Sequence, residues 1–146
     1  TNINNMKHLL LSLLVMVMTI QAQAQKDKIS YNKDSGAIEV NGEAHAQLIK
    51  ENAPGQLGIN KNFIITNLDG EELIYMVFTQ QDIYDARGQK TKTESYYVIN
   101  FLESGKSSRK NGTLSGSGAA KLVVKNKLII NGEISPAAEK KFHLKY

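Results

Sequence analysis

Two aspartates near the middle of the chain form its best-spaced pair for acid–base chemistry. Asp82 and Asp85 lie three positions apart, with Tyr84 and Arg87 beside them. Paired carboxylates supply the acid and the base or nucleophile of glycoside hydrolysis. We expect all four residues in a polar loop over 80–93, since long loops carried on a sheet often bind ligands. They are candidate binding residues, and the two carboxylates give one hypothesis of function, glycan hydrolysis.

Histidine, the usual general base and metal ligand, is scarce in this chain. Beyond the first 24 residues only His45 and His143 occur. Glu43 and His45 share one face of a predicted strand, but two ligands do not define a metal site. We therefore expect no metal and no other cofactor. His143 follows Glu139 by four residues, the helical spacing at which an acid and a histidine pair locally.

The residues for nucleophilic catalysis are incomplete. The chain has no cysteine, which excludes thiol nucleophiles and disulfide bonds. Ser115 lies among glycines, but its segment lacks the strand-to-helix pattern that exposes a nucleophilic serine. No acid and histidine are placed to complete a serine triad. We predict no catalytic residue.

The basic residues are concentrated near the C-terminus. Residues 25–103 hold 8 basic and 12 acidic residues, a net charge of −4, whereas residues 104–146 hold 9 and 2, a net charge of +7. A basic layer of this kind attracts anionic lipid headgroups or acidic glycans, or it balances the acidic body within one molecule. We expect no nucleic-acid partner, because arginines are few and exposed aromatics do not alternate with the basic residues. The candidate binding residues are Lys121, Lys125, Lys140 and Lys141.

The first 24 residues have the three-part pattern of a secretory signal peptide. A short basic start, Met6–His8, precedes the apolar run Leu9–Ile20 and a small-x-small cleavage site at Ala22–Ala24. The run is too short to cross a bilayer, which needs about 20 apolar residues. We expect cleavage near Ala24/Gln25 and no transmembrane span in the mature chain. The leader resembles those of exported proteins of Gram-negative bacteria, which implies a periplasmic or secreted protein.

The residues after the leader predict one α+β domain. In the sheet body, residues 25–103, short apolar or alternating runs separated by turns such as Asn41-Gly42 predict about six antiparallel strands in meander order. The last two runs, Glu72–Thr79 and Glu94–Leu102, are apolar at successive positions. We expect both strands to be central and covered on both faces, one by the helices and the other by the rest of the core or by a partner.

The C-terminal part of the domain is predicted to be helical. Residues 104–118 are rich in Ser and Gly and predict a flexible connector. The basic segment 119–146 follows, with Ser117 as the cap of a helix over 118–126, although a hairpin within 119–130 is the alternative. Ser135-Pro136 begins a last helix. We expect both helices to pack on one face of the sheet.

These features predict a small exported, non-catalytic binding or accessory protein of the bacterial cell envelope. Its expected partner is an anionic envelope component or another envelope protein. The first alternative is a hydrolase of envelope glycans that uses the carboxylates of the 80–93 loop. The second is a subunit that donates or accepts a strand at a long open sheet edge, with Lys28–Tyr31 as the first candidate edge.

Overall fold

The computed structural model describes residues 26–146, and the predicted leader with its cleavage site lies outside these residues. The elements in chain order are β1 (Ile29–Tyr31), β2 (Ala37–Val40), β3 (Glu43–Asn52), β4 (Lys61–Thr66), β5 (Glu72–Tyr84), β6 (Lys90–Phe101), β7 (Ser107–Asn111), α1 (Gly116–Lys125), β8 (Ile129–Ile130), β9 (Glu133–Ile134) and α2 (Pro136–Lys145).

Strands β1 to β7 form one antiparallel sheet in which each strand pairs with its neighbours in sequence. This confirms the predicted α+β class and meander order, with seven strands in place of about six. The short strands β8 and β9 form a separate hairpin. Strand β1, the candidate edge, has three residues and packs partly against the core, so it offers no long open edge.

The added strand, β7, lies inside the segment predicted as a flexible connector. Its five residues pair with β6, and only Ser108 is buried. An edge strand needs few apolar residues, because the ladder to one neighbour and side-chain contacts hold it. Arg109 supplies such contacts, lying 3.7 Å from the ring of Tyr96 and 2.9 Å from a carboxylate oxygen of Glu94.

The predicted polar loop over 80–93 is a β-hairpin arm. Strands β5 and β6 have 13 and 12 residues, whereas their outer neighbours β4 and β7 have 6 and 5, so the paired ends of β5 and β6 project beyond the sheet. Only 85–89 forms the turn, where Asp85 Oδ1 accepts hydrogen bonds from the backbone N–H groups of Arg87 and Gln89. Solvent on both faces permits polar residues on both faces, so the arm has no apolar pattern that predicts a strand.

The core lies between one face of the sheet and the layer formed by the two helices and the β8–β9 hairpin. Its largest fully buried side chains are Tyr97, Phe63, Phe101, Phe142, Ile38, Ile65, Ile74, Met76, Ile99, Leu128 and Val123. The opposite face of β5 and β6 is only half-buried, at residues such as Tyr75, Val77 and Val98. Within the described residues the helical layer covers only one face of these strands, and cross-strand pairs such as Val77 with Val98 shield the other face in part.

Both C-terminal helices begin at serine caps. The first begins earlier than predicted, because Ser115 rather than Ser117 accepts the hydrogen bond from Gly118 N, at 3.0 Å. Of the two alternatives for 119–130, the helix is therefore the one observed, and the hairpin over the whole segment is not. The apolar residues that follow the helix enter the β8–β9 hairpin. The predicted cap of α2 is confirmed, since Ser135 accepts from Ala138 N and Pro136 is the first helical residue.

Candidate functional site

The C-terminal layer carries a groove, of about 400 Å³, between the end of α1 and one side of α2. Four lysines line it, namely Lys125, Lys127, Lys141 and Lys145, and no carboxylate does. We call it the lysine groove. All four lysines are exposed, and none forms an ion pair with another residue of the described range 26–146.

The local fold explains why lysines collect at this groove. Lys125 is the last residue of α1 and Lys145 the last of α2. Cations are favourable at helix C-termini, where the carbonyl ends of the peptide dipoles are unpaired. Lys141 lies one turn before Lys145 on the same side of α2. The floor between the lysines is apolar, formed by residues such as Ile130 and Phe142.

The four lysines predicted from the sequence do not form one face. Lys125 and Lys141 share the lysine groove, whereas Lys140 lines a second, more open groove of about 700 Å³ over the edge strand β7. Lys106 and Arg109 lie in that second groove. Lys121 is exposed on α1 but lines neither groove. The basic segment therefore presents two separate cationic patches.

A serine–histidine–glutamate chain lies at the wall of the second groove. His143 Nδ1 is 2.6 Å from Ser108 Oγ, and its Nε2 is 3.1 Å from Glu139 Oε1. Ser104 donates a further hydrogen bond to that glutamate. The predicted pair of Glu139 and His143 is thus confirmed. The sequence did not predict that Ser108 joins this pair, because its segment was predicted as a connector, whereas in the structure β7 brings it to the helix.

The surroundings of this chain indicate an anchoring role. Ser108 and Glu139 are 8% and 7% exposed, and the His143 ring packs edge-on to Phe101 with 5.1 Å between ring centroids. The two ring nitrogens of His143 each have a hydrogen-bond partner, Ser108 at Nδ1 and Glu139 at Nε2, so none of the three side chains is left without one. Ser108 lies under α2 on an edge strand, not on an exposed turn as a nucleophilic serine does. The chain fastens α2 to β7 and to the turn before it.

The aspartates predicted as a binding or catalytic pair serve the hairpin arm itself. Asp82 Oδ1 is 2.8 Å from Lys90 Nζ and 2.7 Å from Thr93 Oγ1. These two hydrogen bonds, with that from Lys90 the stronger influence, hold the pKa of Asp82 below its ordinary value. Asp85 forms the turn at the tip. Both carboxylates are exposed, so neither has the partly buried position that the hydrolase hypothesis requires.

The remaining arm candidates, Tyr84 and Arg87, are exposed near the tip, with 59% of the Tyr84 surface accessible. The arm does not meet the lysine groove, which no residue of 80–93 lines. Within residues 26–146, no three histidine or acidic side chains come together as metal ligands. No helix in that range is long and apolar enough to cross a membrane. The sequence matches no protein-family model, no curated protein and no solved structure.

Proposed function

We propose that this protein is exported to the bacterial cell envelope, where it acts as a non-catalytic binding or accessory protein. Its lysine groove binds an anionic envelope component. The observation that carries the proposal is the set of four exposed lysines around one groove without a carboxylate among them.

Charge balance within the molecule is the simpler explanation of a basic C-terminal layer, and the ion pairs argue against it. The acid–base contacts of Asp82, Glu94 and Glu139 lie in the arm, at β6–β7 and within α2. None involves Lys125, Lys127, Lys141 or Lys145. Like charges held close together repel each other, and an anionic ligand removes that repulsion. The groove is thus better suited to a ligand than to internal neutralisation.

The test measures binding to immobilised dextran sulfate by the expected mature chain, residues 25–146, which contains every described element. We expect Lys125→Gln with Lys141→Gln to elute at lower salt than the parent protein. The matched control is Lys33→Gln with Lys121→Gln, which removes the same charge from exposed sites outside the groove.

The comparison separates a site from net charge. If Lys125→Gln with Lys141→Gln weakens binding to dextran sulfate and the control variant does not, the groove lysines bind the anion together at one site. Equal loss in both double variants would mean that the protein responds only to its overall charge, and the proposal would then be wrong. Unchanged elution of the groove variant would also contradict it.

A further inference from the structure

Two large apolar side chains stand exposed among the lysines of the C-terminal layer. Ile130, at the end of β8, is 51% exposed and lines the lysine groove. Leu144, on α2, is 83% exposed and lines the second groove beside Lys140, so the two apolar side chains lie on either side of the lysines of α2. A soluble anion satisfies the lysines but leaves both apolar side chains in water. The partner that suits this surface therefore has both negative charge and an apolar interior.

The exposed side of α2 alternates charge with apolar groups. Ala137, Lys140, Lys141 and Leu144 are all exposed, and their spacing of three and four residues places them on one side of the helix. The opposite side carries Phe142, which is fully buried. Lysines thus flank Leu144, an arrangement in which long cationic side chains reach headgroups while the apolar group enters the layer below.

The hairpin beside the groove presents Ile130 at a rigid turn. Asn131 and Gly132 have φ values of 53° and 81°, which are typical of a tight two-residue hairpin turn. The carbonyl of Gly132 also accepts a hydrogen bond from Asn67, which ties the turn to the end of β4. Ile130 is therefore held outward by the fold.

We propose that the lysine groove and the exposed side of α2 dock on a lipid bilayer that contains anionic headgroups. The inference rests on the proposed function and names its ligand class. A bilayer surface contacts exposed side chains of two separate elements at once, here Ile130 of β8 and Leu144 of α2, which a single small-molecule pocket does not. Lysines near an anionic leaflet and inserted apolar groups both strengthen such binding.

The experiment measures co-sedimentation of residues 25–146 with vesicles of phosphatidylcholine that contain about 30% phosphatidylglycerol. We expect the protein to bind these vesicles and not pure phosphatidylcholine vesicles. Lys125→Gln with Lys141→Gln should weaken the binding about 25-fold, at about fivefold for each lysine.

Ile130→Ser with Leu144→Ser should weaken the vesicle binding about tenfold or more and leave elution from dextran sulfate unchanged. Ile59→Ser, an 82% exposed isoleucine before β4, is the apolar control and should bind as the parent does.

The pattern of results distinguishes the two proposals. Binding to dextran sulfate without binding to vesicles would overturn the bilayer proposal and leave an acidic glycan or protein as the partner. Full vesicle binding by the Ile130→Ser, Leu144→Ser variant would also overturn it, because attraction by charge alone would then suffice. If Lys125→Gln with Lys141→Gln weakened binding neither to dextran sulfate nor to the vesicles, the proposed function itself would be wrong.

Discussion

At the scale of single residues, His45 is the histidine whose surroundings predict an effect of pH on stability. Partial burial disfavours its charged form and lowers its pKa from the ordinary 6.5. The unfolded chain then binds a proton more readily than the folded chain, so this group lowers the free energy of unfolding as the pH falls through about 6.5. Above that range both states hold neutral histidine, and the effect vanishes.

We therefore expect His45→Gln to reduce the loss of stability between pH 7.5 and pH 5. Urea unfolding of both proteins at the two pH values measures the change. The two proteins differ only at position 45, so the difference between their losses of stability isolates His45. An equal loss of stability in the variant would show that burial at this position does not disfavour the charge.

Substitution of Ser108 tests whether the serine–histidine–glutamate chain anchors α2. Ser108→Ala leaves His143 Nδ1 without its partner, and we expect a loss of about 1–2 kcal/mol in the free energy of unfolding. The neighbouring Ser107 is exposed on the other face of β7, so Ser107→Ala should change stability by less than about 0.5 kcal/mol. Denaturant unfolding compares the two.

The same serine also distinguishes an anchor from a nucleophile. A fluorophosphonate probe modifies activated serines, and we expect mass spectrometry to find Ser108 unmodified. Modification of Ser108 at a low probe concentration would contradict the anchoring role. It would support a hydrolase in which Ser108 is the nucleophile and His143 is its base.

Sequence spacing predicted some site residues and missed others for physical reasons. Glu139 and His143 lie four apart on one helix, so their contact depends only on local geometry. Ser108 reaches them across 31 and 35 positions of the chain, and a short polar edge strand leaves no pattern that predicts this. Lys125 and Lys141 were predicted as exposed lysines, but their common groove depends on how two helices pack.

At the scale of elements, the turn before β2 depends on one glycine. Gly36 has a φ of 77°, is buried, and accepts a hydrogen bond from Leu48 N at 2.9 Å. A Cβ at this position would collide with the backbone oxygen of Leu48. Gly42 has a similar φ of 85°, but a Cβ there would meet nothing within 4 Å.

Alanine substitutions at Gly36 and Gly42 separate the effect of a steric collision from that of backbone strain, because both positions have a positive φ but only Gly36 has a close neighbour. We expect Gly42→Ala to lower the free energy of unfolding by about 1 kcal/mol and Gly36→Ala to lower it by at least about 2 kcal/mol more. Thermal or urea unfolding measures both. Equal effects of the two substitutions would contradict the close approach of the turn to β3.

Elements with a strong local pattern were predicted well, and polar elements were not. Turn residues such as Asn41-Gly42 and the cap Ser135 act locally, so they predicted the hairpin between β2 and β3 and the start of α2. The arm over 80–93 and β7 have mostly polar side chains. The arm consists of the ends of β5 and β6 paired with each other, and β7 is held by its ladder with β6. Such strands resemble loops in the sequence, because neither face needs apolar residues.

At the scale of the whole molecule, the uneven charge of the chain becomes an uneven surface. The acidic residues belong mainly to the sheet body, whereas the layer that covers one face of the sheet holds six lysines and only two acids, Glu133 and Glu139. That layer combines a lysine groove with exposed Ile130 and Leu144. The proposed role, binding to an anionic envelope component, follows from this combination rather than from any single residue.

The most direct test of this role is capture from a bacterial envelope extract by immobilised residues 25–146 at low salt and at about 0.5 M salt, where screening leaves only a few ångströms of electrostatic range. The parent protein and the Lys33→Gln, Lys121→Gln control should capture the same component at low salt and release it at high salt, and the Lys125→Gln, Lys141→Gln variant should capture little. Capture that survives high salt and is equal for all three proteins would contradict binding through the lysine groove.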